Sequence, residues 1–363
     1  MKNISRRDFL KTSAIASAAI TATPTFLIRQ SEAAWLEGTR IHPNVDNLRV
    51  VAVTDRKMTK ALEPVSSWAQ QEALVNKAVV WENMDKLACA LTLEMNPEKA
   101  WETIFVKHPK KSWSETSVAI KTNHIARQHT RSAVMSKICH TFTGLLGVKG
   151  HNIHIYDGCH GKGMSRNTPF SGLPAGCLIE DQWGGITTHT RIPKPWNGGE
   201  SSAKCLHHLV NGSVDILVNI SMCKGHSYQY GGFTMTMKNH LGTFSPHHIH
   251  DGGGLDYLIA INKTSEILGS LDKDTGKVIY PRQQLCLVDA LWASKKGPGC
   301  NPSHQPNFLA MGVLAPAVDY QVATKFRHAK MGWKPNMKSL ENILKAFSID
   351  ERDFPEGGRL ISA

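Results

Sequence analysis

Apolar positions along the chain follow two periods. Short, largely apolar runs bounded by turn residues recur at Val118 to Ile120, His151 to Tyr156, Val214 to Ile220, Gln284 to Val288 and Phe308 to Leu314. Runs of this length without strict alternation suit strands buried on both faces, as in a parallel sheet covered by helices. Leu48 to Val53 mixes basic and apolar residues before Thr54-Asp55 and reads as a first strand, and Ile104-Phe105-Val106 reads as a further short one. Residues 66 to 92 lack Gly and Pro and read as one or two amphipathic helices. Val134, Ile138, Phe142 and Leu145 share a helical face in a stretch that Gly147 and Gly150 bring to an end. Asp319 to Phe326 and Lys338 to Phe347 also read as helices, whereas residues 182 to 200 and Gly242 to Gly254 read as irregular loops.

The strand, helix, strand succession from Val118 to Tyr156 fits a right-handed parallel crossover unit. The expected fold class is α/β: an open, mostly parallel sheet flanked by helices, Rossmann-like in its layering, with an N-terminal helical portion. The expected domains are a signal over residues 1–33, the helical portion over 34–99, the α/β domain over 100–330, and a C-terminal helix and tail over 331–363.

The signal rests on Ser5-Arg6-Arg7-Asp8-Phe9-Leu10-Lys11, which precedes a mildly apolar stretch from Thr12 to Ile28. Charged, apolar and small residues follow in that order, and Ser31-Glu32-Ala33 supplies the small positions that a signal peptidase reads. This predicts twin-arginine export to the periplasm or another extracytoplasmic space, with the twin-arginine translocase as a partner. Cleavage after Ala33 and retention as an anchor both stay open. The twin-arginine route carries proteins that have already folded, which associates this chain with a metal or redox cofactor inserted before export.

Composition narrows the picture. A hydrophobic share of 41% with 20% charged residues describes a soluble globular chain, and no stretch of the mature part is long and apolar enough to span a membrane. The net charge of +12 falls to about +9 once the signal is set aside. An exported protein rarely meets nucleic acid, so this charge points to solubility or to an acidic partner or surface. The eight cysteines contain no CxxC and no CxxCH, which argues against an intrinsic ferredoxin-type cluster and against c-type haem. Most of the cysteines are expected to be buried small apolar residues, and one or two long-range disulfides could form after export. The eighteen histidines cluster, with His140, His151, His154 and His160 in one region, His207 and His208 in a second, and His226, His240, His247, His248 and His250 in a third.

Three polar patches follow predicted strand ends, where open parallel sheets place their ligands. They are Lys121 to His124, the Gly-rich Asp157 to Gly163, and the long run from Asn219 through Cys223, Lys224, His226, Lys238, Asn239 and His240 to His247, His248 and Asp251. Lysines there can neutralise an anion. Histidine and cysteine can bind Zn, Cu or Fe, which makes His226, His240, His247, His248 and Cys223 the expected metal set. The glycine spacing after Asp157 matches neither the P-loop nor the dinucleotide fingerprint. No GxSxG elbow or HExxH helix is present.

The run VDILVNISMCKGH, followed by MKNHLG, resembles the domain of unknown function 362 family, in which an apolar strand leads to Lys-x-His and then to Lys-Asn before a Gly. VAIKTN, IHIYDG, LVDALWASKKGPG and APAVDYQVATK resemble further pieces of that family in the same order, over about residues 100 to 330. Carried over by position, the resemblance implies Lys224, His226, Lys238 and Asn239 as catalytic residues and Lys121, Asn123, Asp157, Asp289 and Asp319 as cofactor-binding residues. It also implies association with iron–sulfur segments. Because this chain lacks their cysteine run, electron transfer would need a redox partner protein.

The leading expectation is an exported, redox-associated α/β protein that binds a metal or an anionic cofactor through lysines and histidines at strand ends. Two alternatives stand beside it: a non-catalytic accessory protein docking on a partner complex, and a hydrolase or lyase acting on an anionic substrate, with Lys238 polarising it and His226 as acid or base.

Overall fold

The structure, a computed structural model, describes residues 41–60, 67–125, 128–158, 170–180, 187–193, 200–244, 253–271, 278–355 and 361–362. The signal, His247 and His248 lie outside the described residues, as do Cys159 to Gly163 and Asp251.

The strands, in chain order, are β1 (Val51–Thr54), β2 (Val118–Lys121), β3 (Ile153–Tyr156), β4 (Leu178–Glu180), β5 (Thr187–Pro193), β6 (Glu200–Leu206), β7 (Ile216–Met222), β8 (Lys224–Gly225), β9 (Phe233–Thr234), β10 (Gly269–Leu271), β11 (Val278–Pro281), β12 (Gln283–Ala290), β13 (Phe308–Gly312) and β14 (Ile361–Ser362). Eight of them form one sheet in the order β14-β1-β13-β12-β7-β2-β3-β4. Only β13 runs against the others, pairing antiparallel with β1 and β12; every other contact in the sheet is parallel. This is the expected mostly parallel α/β sheet.

Both faces of the sheet are covered, which explains the apolar runs. Val118, Ile120, Ile216, Val218, Ile220, Leu285 and Leu287 point into one core, and Ala119, Leu217, Cys286 and Val288 point into the other. The first core is closed by the helices Lys77–Thr92, Pro97–Ile104 and Ser132–His140, through Met84, Leu87, Trp101 and Ile138. The second is closed by Gly254–Asn262, Ala315–Gln321 and Met337–Ala346, through Tyr257, Val318 and Ile343. The N-terminal helices therefore share one layer with Ser132–His140. The preceding strand β1 lies within the sheet, between β13 and β14.

Two elements differ from the sequence reading. Ile104 ends a helix rather than opening a strand: Asn96 caps its start by accepting from Lys99 N–H, Pro97 occupies the first turn, and Ala100, Trp101 and Ile104 share its buried face. Residues 187–193, within the expected irregular loop of 182 to 200, form a strand that pairs with residues 200–206 as an antiparallel hairpin.

Candidate functional site

From β2 the chain steps outward to β3 and β4, then returns to the other side of β2 as β7. That reversal is a topological switch point, and the crevice beyond the carboxyl ends of the flanking strands is where such sheets bind ligands. Lys121 ends β2, Asp157 follows β3, Lys224 follows β7, and Asp289 is near the end of β12.

Lys121 Nζ lies 3.2 Å from Asp157 Oδ1 and donates to Asn239 Oδ1 at 3.1 Å and to Thr122 O. Asn123 Nδ2 donates to the same Asn239 oxygen at 3.1 Å, while Asn123 Oδ1 accepts from Lys224 Nζ at 2.8 Å. Lys224 Nζ also donates to Ile125 O at 2.8 Å. Asn239 is fixed from beneath, because its Nδ2 donates to Asn219 Oδ1 and Ile220 O on β7. Five of the predicted residues, Lys121, Asn123, Asp157, Lys224 and Asn239, thus form one connected buried network. Lys238 and His226 meet beside it, with Nζ 2.9 Å from Nδ1 and the ammonium 4.4 Å above the Tyr230 ring. His226 Nδ1 also accepts from Ser227 N–H, so this nitrogen acts as an acceptor.

The two remaining predicted acids act on the backbone. Asp319 accepts from the Thr236 and Met237 N–H groups and from the Thr236 hydroxyl, holding the start of the short helix Thr236–Asn239 that carries Lys238 and Asn239. Burial pushes its carboxyl up to about 6. Asp289 accepts from Arg131 N–H at 2.9 Å and from Leu291 N–H at 3.2 Å, anchoring the residue that precedes the helix Ser132–His140. Burial raises its carboxyl too, against the pull of Arg131.

Gly242 shows how tightly the network is packed. A methyl group at its Cα would lie 2.7 Å from Lys121 Nζ and closer still to Asp157, so only glycine lets the backbone approach this pair. Its carbonyl also accepts from Gly158 N–H at 2.8 Å.

The expected metal set does not assemble among the described residues. His240 is fully buried as a core histidine: Nδ1 meets Thr243 Oγ1 at 3.0 Å, and Nε2 lies 2.6 Å from Gln283 Oε1 and 3.0 Å from Asn219 Nδ2. Burial lowers it to about 3, leaving a neutral ring engaged on both sides. Cys223 is also buried and faces Arg327, whose guanidinium is 3.4 Å from Sγ. Burial pushes its thiol up, away from the thiolate that metals bind. The sequence reading also passed over Arg131, a buried cation stacked 4.9 Å from the Trp292 ring, whose Nε and Nη2 find no hydrogen-bond partner among the described residues. No spacing in the sequence marks it.

On the same carboxyl edge, beyond β1, a cavity of about 800 Å³ is lined by Thr54, Arg56, Lys60, Gln305, Asn307 and Lys330, apart from the lysine network. Among the described residues, no helix is long and apolar enough to cross a membrane.

A twin-arginine translocation pathway signal sequence matches residues 3–23, which places the protein in the periplasm or another extracytoplasmic space by way of the twin-arginine translocase. No curated relative and no solved structure matches the chain. The family described as Domain of unknown function (DUF362) matches residues 118–324, more than half of the chain and a span that contains the whole crevice. With the crevice residues inside that match and the export signal ahead of it, the chain is an exported member of the domain of unknown function 362 family.

Proposed function

We propose that the crevice at the switch point binds an anionic ligand, a phosphate- or carboxylate-bearing molecule, with Lys224 and Lys238 as its counter-charges. One observation carries this reading: two buried lysines stand without a carboxylate. Lys121 is matched by Asp157, but among the described residues Lys224 and Lys238 contact only neutral acceptors, Asn123 Oδ1 and Ile125 O for the first and His226 Nδ1 for the second. An ammonium has three N–H donors, so Lys224 keeps one and Lys238 two to offer. Burial lowers both to about 7; at Lys224, Arg131 and Lys121 add to the effect and the Asp157 carboxylate opposes it.

Charge held out of water without a partner is costly, and a bound anion offsets that cost by restoring the ordinary protonated lysine. The unpaired Nε and Nη2 of Arg131 point the same way. The contact between Lys238 and His226 gives the bound anion an acid–base pair, the arrangement that hydrolysis or elimination at an anionic substrate would use. The electron-transfer association implied by the family resemblance plays no part in this reading.

The test is thermal unfolding of the full chain with inorganic phosphate, pyrophosphate or succinate. At least one of these anions should raise the wild-type midpoint, and Lys224→Met and Lys238→Gln should each remove that rise. No stabilisation by any of the three, or equal stabilisation of both variants, would overturn the proposal.

A further inference from the structure

His154, Glu180 and His208 each present a ligand atom within 4.8 Å of the others. The sheet register brings the first two together. In the parallel pair β3–β4, Tyr156 lies opposite Glu180 and His154 opposite Leu178, so His154 and Glu180 are diagonal neighbours on one face. His208 reaches them from the turn of helix after β6. His154 Nδ1 is 2.7 Å and His208 Nε2 3.6 Å from the same Glu180 oxygen, and the two rings lie 4.3 Å apart, tilted by 35°.

The tautomer of His208 is set from outside the group. Ser213 Oγ donates its proton to His208 O at 3.1 Å, which leaves Ser213 Oγ to accept from His208 Nδ1–H at 3.3 Å. The lone pair of His208 is thereby placed on Nε2, the nitrogen that faces Glu180. A hydrogen bond that fixes the tautomer and ring orientation in this way is the usual support of a metal-binding histidine. The carboxylate is held in place as well, by the 2.7 Å contact between Glu180 Oε1 and His154 Nδ1.

We propose that His154, Glu180 and His208 form a binding site for a divalent first-row transition ion such as zinc. Two imidazoles and one carboxylate favour such ions over Mg²⁺ and Ca²⁺, which prefer oxygen ligands, and three protein ligands leave a coordination position for water or substrate. The ion would take the place of the proton between His154 Nδ1 and Glu180: a neutral His154 then carries its proton on Nε2, and a protonated one releases one proton to solvent. His154 is buried, while Glu180 and His208 are half-buried, so the group can be reached from outside. The site is separate from the expected histidine set and shares no residue with the lysine crevice.

The experiment is titration of the full chain, stripped by chelator, with Co²⁺ alone, followed by visible absorption and then competition with Zn²⁺. One equivalent of Co²⁺ should bind with the intense bands of a low-coordinate site, and Zn²⁺ should displace it. Glu180→Gln, which keeps the shape and a hydrogen-bond acceptor, and His208→Ala should abolish the bands. Ser213→Ala should weaken binding by about tenfold to a hundredfold, the usual effect of losing a supporting hydrogen bond. The assignment is overturned if wild type binds no Co²⁺. It is equally overturned if folded Glu180→Gln binds as wild type does, or if His226→Ala removes the bands instead.

Discussion

The lysine crevice and the histidine–glutamate cluster flank strand β3, yet they solve opposite electrostatic problems. In the crevice, burial away from water holds Lys224 and Lys238 near 7, and at Lys224 alone neighbouring Arg131 and Lys121 add to the effect against the pull of Asp157. In the cluster, one carboxylate is shared by two imidazoles at the partly buried edge of the sheet, and Glu180 stays ionised down to about 2. The first arrangement is incomplete without a negative charge and the second has a negative charge to spare for a cation. On the two proposals above, one sheet edge would hold ligands of both signs, with a single strand between the two fields.

The sharpest way to break this contrast is to remove the one carboxylate that the crevice does possess. Asp157→Ala leaves Lys121 buried beside other cations and strips an acceptor from His124 N–H. The expected loss of stability is about 3–5 kcal/mol, read by urea unfolding. A loss below about 1 kcal/mol would show that the crevice is not short of negative charge.

The next effect is a slope. Lys224 has a lowered pKa, about 7 against an ordinary 10.5, so between those values the unfolded chain binds more protons than the folded one. Stability of the ligand-free protein should therefore rise with pH across this window, by up to about 1.4 kcal/mol per pH unit from this residue. Lys224→Met should flatten the rise and leave only the share that Lys238 supplies. Identical slopes in wild type and variant would contradict an uncompensated charge at this position.

The smallest effect belongs to the edge. Without metal, Glu180→Gln should cost about 1 kcal/mol or less, because glutamine keeps the shape and an acceptor for His154 Nδ1. The carboxylate's contribution is present above its ordinary value of 4.5 and fades as the pH falls through about 2. A much larger cost would make the cluster a structural brace and erase the difference between the two regions.

Much of this arrangement was legible in the sequence, for identifiable reasons. Six of the eight strands of the main sheet announced themselves, all but the short β4 and β14, because burial on both faces leaves little room for polar side chains, as at Val118 to Ile120 and Ile216 to Ile220. Lys121, Asp157 and Lys224 could be placed at strand ends because a short apolar run fixes where the polar residues after it emerge. The hairpin of β5 and β6 was missed because Thr187–Pro193 and Glu200–Leu206 carry Thr, Ser, Arg and Lys where alternation would show. His240 looked like a ligand because composition cannot show that Gln283 and Thr243 already engage its ring. Glu180 escaped notice because its relation to His154 is made by strand register across 26 residues. The backbone roles of Asp289 and Asp319 depend on contacts across 158 and 83 residues, which no local pattern can reveal.

Those separations also bear on timing. Lys224 reaches Asn123 across 101 residues, and Lys121 reaches Asn239 across 118. Contacts that close such long loops in a parallel sheet form slowly, after the local helices. The crevice is accordingly among the last parts of the molecule to come into being, whereas the address that sends the molecule abroad is the first to be made. A route that accepts folded cargo lets that late assembly finish in the cytoplasm, among whatever anions and metal ions the cell keeps there.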